Sequence, residues 1–171
     1  METKPLTASY LLASPLMTAF RIARWARRVL TLFLVVFIGA QFIRPDRTNP
    51  STPAAASLLA TAPPVIKALL GRSCRDCHSN ETRWPWYSQV APASWLLASD
   101  VHQGRDRFNF SEWTSYPTDD QDKFLGSMCK LTQRGRMPLS AYLWIHRDAT
   151  LSPADVTALC AWSDKMRDTL Q

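Results

Sequence analysis

Apolar and polar positions divide the chain into a continuous run, a stretch without periodicity, and a longer part with helical spacing. The run is Val29 to Ile43, fifteen residues without a charge, closed by Arg27 and Arg28 before it and Arg44 after it. From 45 to 62 Pro, Ser, Thr and Ala dominate, and the pattern predicts an extended solvated linker. Pro63-Pro64 then opens a segment in which Val65, Ile66, Leu69 and Leu70 fall on one helical face. A second helix is predicted from about Pro92 to Gln103, with Trp95, Leu96 and Ser99 inward and Gly104 beyond its end. The third has Thr118 as N-cap with Gln121 as capping-box partner, and runs through Phe124, Leu125 and Met128 to Gly135. The fourth starts at Ser152, with Pro153 at N1 and Asp155 at N3, and carries Val156, Leu159, Cys160 and Trp162. No stretch alternates over strand length, so the fold class is all-α.

Charge refines this division. Residues 1–48 hold seven basic and two acidic side chains, and the rest hold thirteen and twelve. The net charge of +6 is therefore concentrated at the N-terminus, and the folded part lacks a basic footprint for nucleic acid. Arginines ahead of an apolar run mark an export signal or an anchor whose N-terminus stays cytoplasmic. The run is short for a span of about 20 residues, but flanking arginines can snorkel. Ile38 two positions before Ala40 spoils a cleavage site, so an uncleaved anchor is favoured over a cleaved signal. The resulting division is a basic cytoplasmic tail at 1–28, a signal-anchor helix at 29–44, the linker at 45–62 and one domain at 63–171. That places the domain on the periplasmic or outer face of the cytoplasmic membrane. Met17 opens a basic stretch that would itself serve as an N-terminus, so the start is either Met1 or Met17.

The chemistry concentrates at Cys74-Arg75-Asp76-Cys77-His78, a C-x-x-C-H string. This is the attachment signature of c-type haem. Two thiols three residues apart on a helical turn reach the two vinyl groups on one porphyrin edge, and the next histidine turns back to the iron. A thioredoxin-like dithiol would want a βαβ context. A zinc site would want two more ligands at close spacing, and Cys129 and Cys160 stand far off. For the sixth position Met137, in the Gly/Pro loop Arg134 to Pro138, is the leading candidate, since a thioether suits haem iron. His146, His102 and water are its rivals. Trp84, Trp86 and Tyr87 follow closely enough to wall a porphyrin, and Arg83 and Arg105 are candidate donors to its propionates. The competing reading of these five is an aromatic core with solvent-facing arginines.

The run Cys77-His78-Ser79-Asn80-Glu81-Thr82-Arg83-Trp84-Pro85-Trp86-Tyr87-Ser88 resembles the haem-binding domain family of bacterial exported proteins. So do Ala91 to Trp95, Gly104-Arg105, Asn109 to Trp113, Met137-Pro138 with Tyr142 and His146, and Leu151-Ser152 with Trp162. The resemblance covers roughly residues 60–168. It implies one covalent haem c in a small cytochrome c-like helical fold, and no shared reaction. The chain departs from it at Leu139, where many relatives have a second proline, and in carrying Cys129 and Cys160. Those two cysteines, left over in an oxidising compartment and each beside an apolar helix face, are expected to pair. Filled axial positions favour a one-electron carrier that meets redox partner proteins. A sensor or peroxidase-like protein with an open sixth position is the alternative. No Ser/His/Asp order, carboxylate pair or phosphate loop supports a hydrolase or transferase.

Overall fold

The computed structural model describes residues 15–171. Residues 1–14, half of the predicted cytoplasmic tail and including Met1, lie outside the described residues. Every regular element among the described residues is helical. The chain divides into two compact units, one ending at Arg44 and the other running from Pro45 to the C-terminus.

The first unit holds α1 (Pro15–Ala40). Among the described residues no helix is long and apolar enough to cross a membrane. The helix expected at 29–44 starts fourteen residues earlier and ends four earlier. Arg21, Arg24, Arg27 and Arg28 interrupt it, so its longest uncharged stretch is Val29 to Ala40. Its apolar side chains, among them Leu32, Phe33 and Val36, are exposed.

In the second unit the segment read as a solvated linker is part of the fold. Ser57 caps α2 (Leu58–Thr61), accepting from the Leu59 N–H, and Leu58 and Leu59 are buried in the core. Ahead of them the Arg47 guanidinium donates to Ser88 O at 2.8 Å, and Asn49 Nδ2 donates to Thr82 O at 2.9 Å. A four-residue helix is too short for apolar periodicity to register, so composition alone reads as tether.

α3 (Pro64–Ser73) follows with Pro64 at N1, burying Ile66, Leu69 and Leu70 while Val65 stays exposed. One turn, α4 (Arg75–His78), continues from it. α5 (Ala93–Arg107) is longer than predicted and buries another face: Ser94, Ala98, Val101 and Gly104 are inside, while Leu96 is 63% exposed. Gly104 lies within the helix, where a Cβ would stand 2.5 Å from the Cys77 carbonyl oxygen. The small residues therefore let α5 press against α4.

α6 (Thr118–Gln133) takes Pro117, not Thr118, as its N-cap, without a side-chain cap. Gln121 instead donates to the carbonyls of Trp113 and Tyr116, tying the helix to the turn before it. Gly135, past the end, has φ +62°, a conformation that favours glycine. A short α7 (Ser140–Ile145) was not foreseen. α8 (Pro153–Asp168) opens with the Ser152–Asp155 capping box. α6 and α8 pack side by side, and Cys129 and Cys160 form a disulfide between them with Cα atoms 4.9 Å apart. Nearby, the buried Ser163 hydroxyl donates to Leu125 O. The core gathers Leu58, Leu70, Phe110, Leu125 and Leu159 from five segments.

Candidate haem cleft

Cys74 ends α3 and caps α4, so Cys77 and His78 follow on a single helical turn. That turn brings the three side chains to one wall. His78 Nδ1 lies 2.9 Å from Phe108 O; a carbonyl only accepts, so Nδ1 carries the proton and Nε2 keeps its lone pair. The ring stacks on buried Phe110, with centroids 5.8 Å apart. Burial holds the imidazole below the usual histidine range, which keeps it neutral and able to ligate. Desolvation pushes the Cys74 thiol up to about 12 and that of Cys77 to about 11. Both are therefore protonated at neutral pH.

Two cavities, of about 170 and 340 Å³, flank this wall. Cys74, His78, Met137 and Pro138 line both, so they form one cleft. Phe108, Phe110, Phe124 and Leu131 make the larger side apolar, and Cys77, Leu97, Leu139 and Tyr142 line the smaller. Among the described residues no three His, Cys, Asp or Glu side chains converge to hold a bare metal ion.

The family model for the haem-binding domain matches residues 35–165. The chain belongs to the haem-binding domain family. Its fold is all-α and its ligand is haem. No curated protein and no solved structure matches the chain.

The residues present fit that group. A flat, mostly apolar molecule with one metal suits a cleft that has an aromatic side, a neutral imidazole with a fixed tautomer and a thioether. His78, Met137 and the two thiols are the residues that would hold it. Haem supplies one-electron redox chemistry when bound. The protein's part is to orient His78 through Phe108, to hold Met137 in the loop between α6 and α7, and to keep the larger side dry.

The other proposed pocket residues stand elsewhere. Trp84, Trp86 and Tyr87 line neither cavity. Trp86 is 79% exposed and meets Tyr87 edge-on, while the Tyr87 hydroxyl and His146 Nε2 are 2.6 Å apart. His146 also stacks on Tyr142. His102 Nε2 lies 3.2 Å from Asp46 O, so neither rival histidine is at the cleft. Arg83 pairs with Asp76 at 3.4 Å. Arg105 is consumed by structure: it donates to Ser79 O, Thr48 O, Asn49 Oδ1 and Thr82 Oγ1. With its donors held by these acceptors, it lines neither cavity.

Sequence reasoning gave no cleft role to Tyr142, Phe110 and Gly104, though all three fall in the stretches that carry the resemblance, and passed over Phe108 and the rest of the α5 stripe, Leu97, Asp100 and Arg107; all of these line the cleft. The stripe was legible, since 97, 100, 104 and 107 repeat at three and four residues. Reading Gly104 as a helix stop hid it.

Proposed function

We propose that the chain is a c-type haem protein, a membrane-tethered one-electron carrier with Met/His axial ligation. The observation that carries this reading is that Cys74, His78 and Met137 line one cleft, with Cys77 on the same helical turn as His78. Cys74 and Cys77 would supply the two thioether links to the vinyl groups of haem. His78 Nε2 and Met137 Sδ are the two atoms that would ligate the iron. With both ligands supplied by the chain, the bound group would serve one-electron exchange with partner redox proteins. The tether is the fifteen uncharged residues from Val29 to Ile43, shorter than the helix a full span takes. Its flanking arginines snorkel to the interface and keep the N-terminus cytoplasmic, leaving the haem domain on the outer face.

Acid–acetone extraction followed by mass spectrometry tests the attachment: a haem-sized increment stays on the chain, and loss of all haem overturns it. Ferrous spectra with and without carbon monoxide test ligation. Low-spin bands that ignore the gas are expected, and Met137→Ala turns the iron high-spin and carbon monoxide-reactive. If wild type binds the gas readily, the sensor or peroxidase reading takes over. Carbonate-washed membranes should retain the full chain and release a 45–171 truncation; equal release of both refutes the tether.

A further inference from the structure

Two carboxylates and one cation line the cleft besides the ligand set. Asp76 and Asp100 stand on the smaller side, the side that also holds Cys77. Arg107 lines both cavities, and it is the one lysine or arginine among the described residues that lines either. It is the last residue of α5, one helical turn beyond Gly104 on the stripe facing the cleft. Exposed at the cleft mouth, it makes no ion pair or side-chain hydrogen bond with any described residue. The neighbouring arginines are taken: Arg83 by Asp76 and Arg105 by four oxygens.

We infer that the Arg107 guanidinium is the anchor for a haem propionate, and so sets which way the porphyrin edge faces. This rests on the haem reading above. The chemistry of the ring makes the assignment directional. Vinyl groups and propionates occupy opposite edges of the macrocycle. The vinyl edge is the one that Cys74 and Cys77 can reach, beside Asp76. The propionate edge is anionic, so Asp76 and Asp100 repel it and Arg107 attracts it. A guanidinium also presents paired N–H donors that match a carboxylate. Arg107 is thus a positioning residue: it touches the cofactor's periphery and tunes the iron through charge.

The test uses holoprotein of wild type, Arg107→Gln, Arg107→Lys and, as a surface-charge control, Lys165→Gln, an exposed residue of α8 that lines neither cavity. Losing the cation leaves a propionate charge unbalanced near the iron, which favours the ferric state. The reduction potential of Arg107→Gln should fall by about tenfold in electron affinity, which is 59 mV for a one-electron couple. Arg107→Lys should recover part of that shift and Lys165→Gln should show little. In resonance Raman spectra the propionate bending band should move in Arg107→Gln and in Arg107→Lys, because both lose the paired hydrogen bond. An unmoved band with equal potential shifts in Arg107→Gln and Lys165→Gln overturns the anchor while leaving haem binding intact. Absence of haem from wild type overturns the reading beneath it instead. If Arg107→Gln does not accumulate, Arg107→Lys alone decides through the Raman band.

Discussion

Gly104→Ala is the sharpest test of how the cleft is built. The added Cβ would stand 2.5 Å from Cys77 O, 3.0 Å from Cys77 C and 3.2 Å from Cys77 Cβ. The first two are backbone atoms, so no rotamer change relieves them, and α4 must move away from α5. Overpacking of this kind costs about 1–3 kcal/mol, and rigid neighbours put this case in the upper half. Alanine recovers about 0.5–1 kcal/mol of helix propensity over glycine. The net loss is about 1–2 kcal/mol, which lowers the melting temperature by roughly 3–8 °C for a unit of this size. The shift also reaches the ligand. Phe108 donates its N–H to Gly104 O at 3.0 Å, and its carbonyl accepts from His78 Nδ1. Haem content per chain should therefore fall with stability. Gly71→Ala is the internal control, because its Cβ meets nothing within 4 Å on α3; it should raise the melting temperature by a few degrees for the same propensity gain. Far-ultraviolet circular dichroism melts and a pyridine haemochrome assay read both effects. If Gly104→Ala melts at or above wild type with full haem while Gly71→Ala behaves as stated, the close-approach argument is wrong.

Two further outcomes follow from the α6–α8 end of the domain. The disulfide spans a separation of 31 residues, so Cys129→Ser with Cys160→Ser should cost about 3–4 kcal/mol in the chain-entropy account; an unchanged urea midpoint, or two reactive thiols in denatured holoprotein, refutes it. Asp155 is held below its ordinary 3.8 by hydrogen bonds from the Ser152 backbone and hydroxyl, then by Arg72. A lowered folded value means the contribution is present in full above 3.8 and lost as pH falls through the lowered value. Asp155→Asn should therefore lower the urea midpoint at neutral pH and converge with wild type in strong acid; a constant gap across that range counts against the capping box.

The sequence declared those features whose physics is local. Ser152, Pro153 and Asp155 specify the start of α8 within four residues, and both hydrogen bonds of the box form, at 3.1 and 2.9 Å. The Cys74–His78 turn is equally local, because its spacing is its chemistry. Features that depend on a partner segment were hidden. Leu96 and Trp95 are the largest apolar residues near the start of α5, so hydrophobicity aims that face inward; the backbone of α4 approaches too closely for large side chains, and Ser94, Ala98 and Gly104 are inside instead. Thr118 and Gln121 satisfy the capping pattern on paper. The carbonyls of Trp113 and Tyr116, brought near by the preceding 3₁₀ turn, compete for the glutamine amide and win.

The arginines show the same limit in its strongest form. A guanidinium carries five donors on a long stem, so it binds whichever carbonyls and carboxylates the fold places within reach. Arg72 is taken by the Asp148 and Thr150 carbonyls and by Asp155, joining α3 to the start of α8. Arg75 leans toward Glu81 at 3.9 Å, while Arg167 holds Asp122 at 2.8 Å between α8 and α6. Nothing in the local sequence separates Arg105 from Arg107: both lie near the end of one helix, two residues apart. That spacing rotates them about 200° around the axis, so one turns toward residues 48–49 and 79–82 and the other toward the cleft. An arginine beside the CxxCH motif in the sequence is thus a poor guide to the cofactor. One that the fold leaves unclaimed where it lines both cavities is a better one.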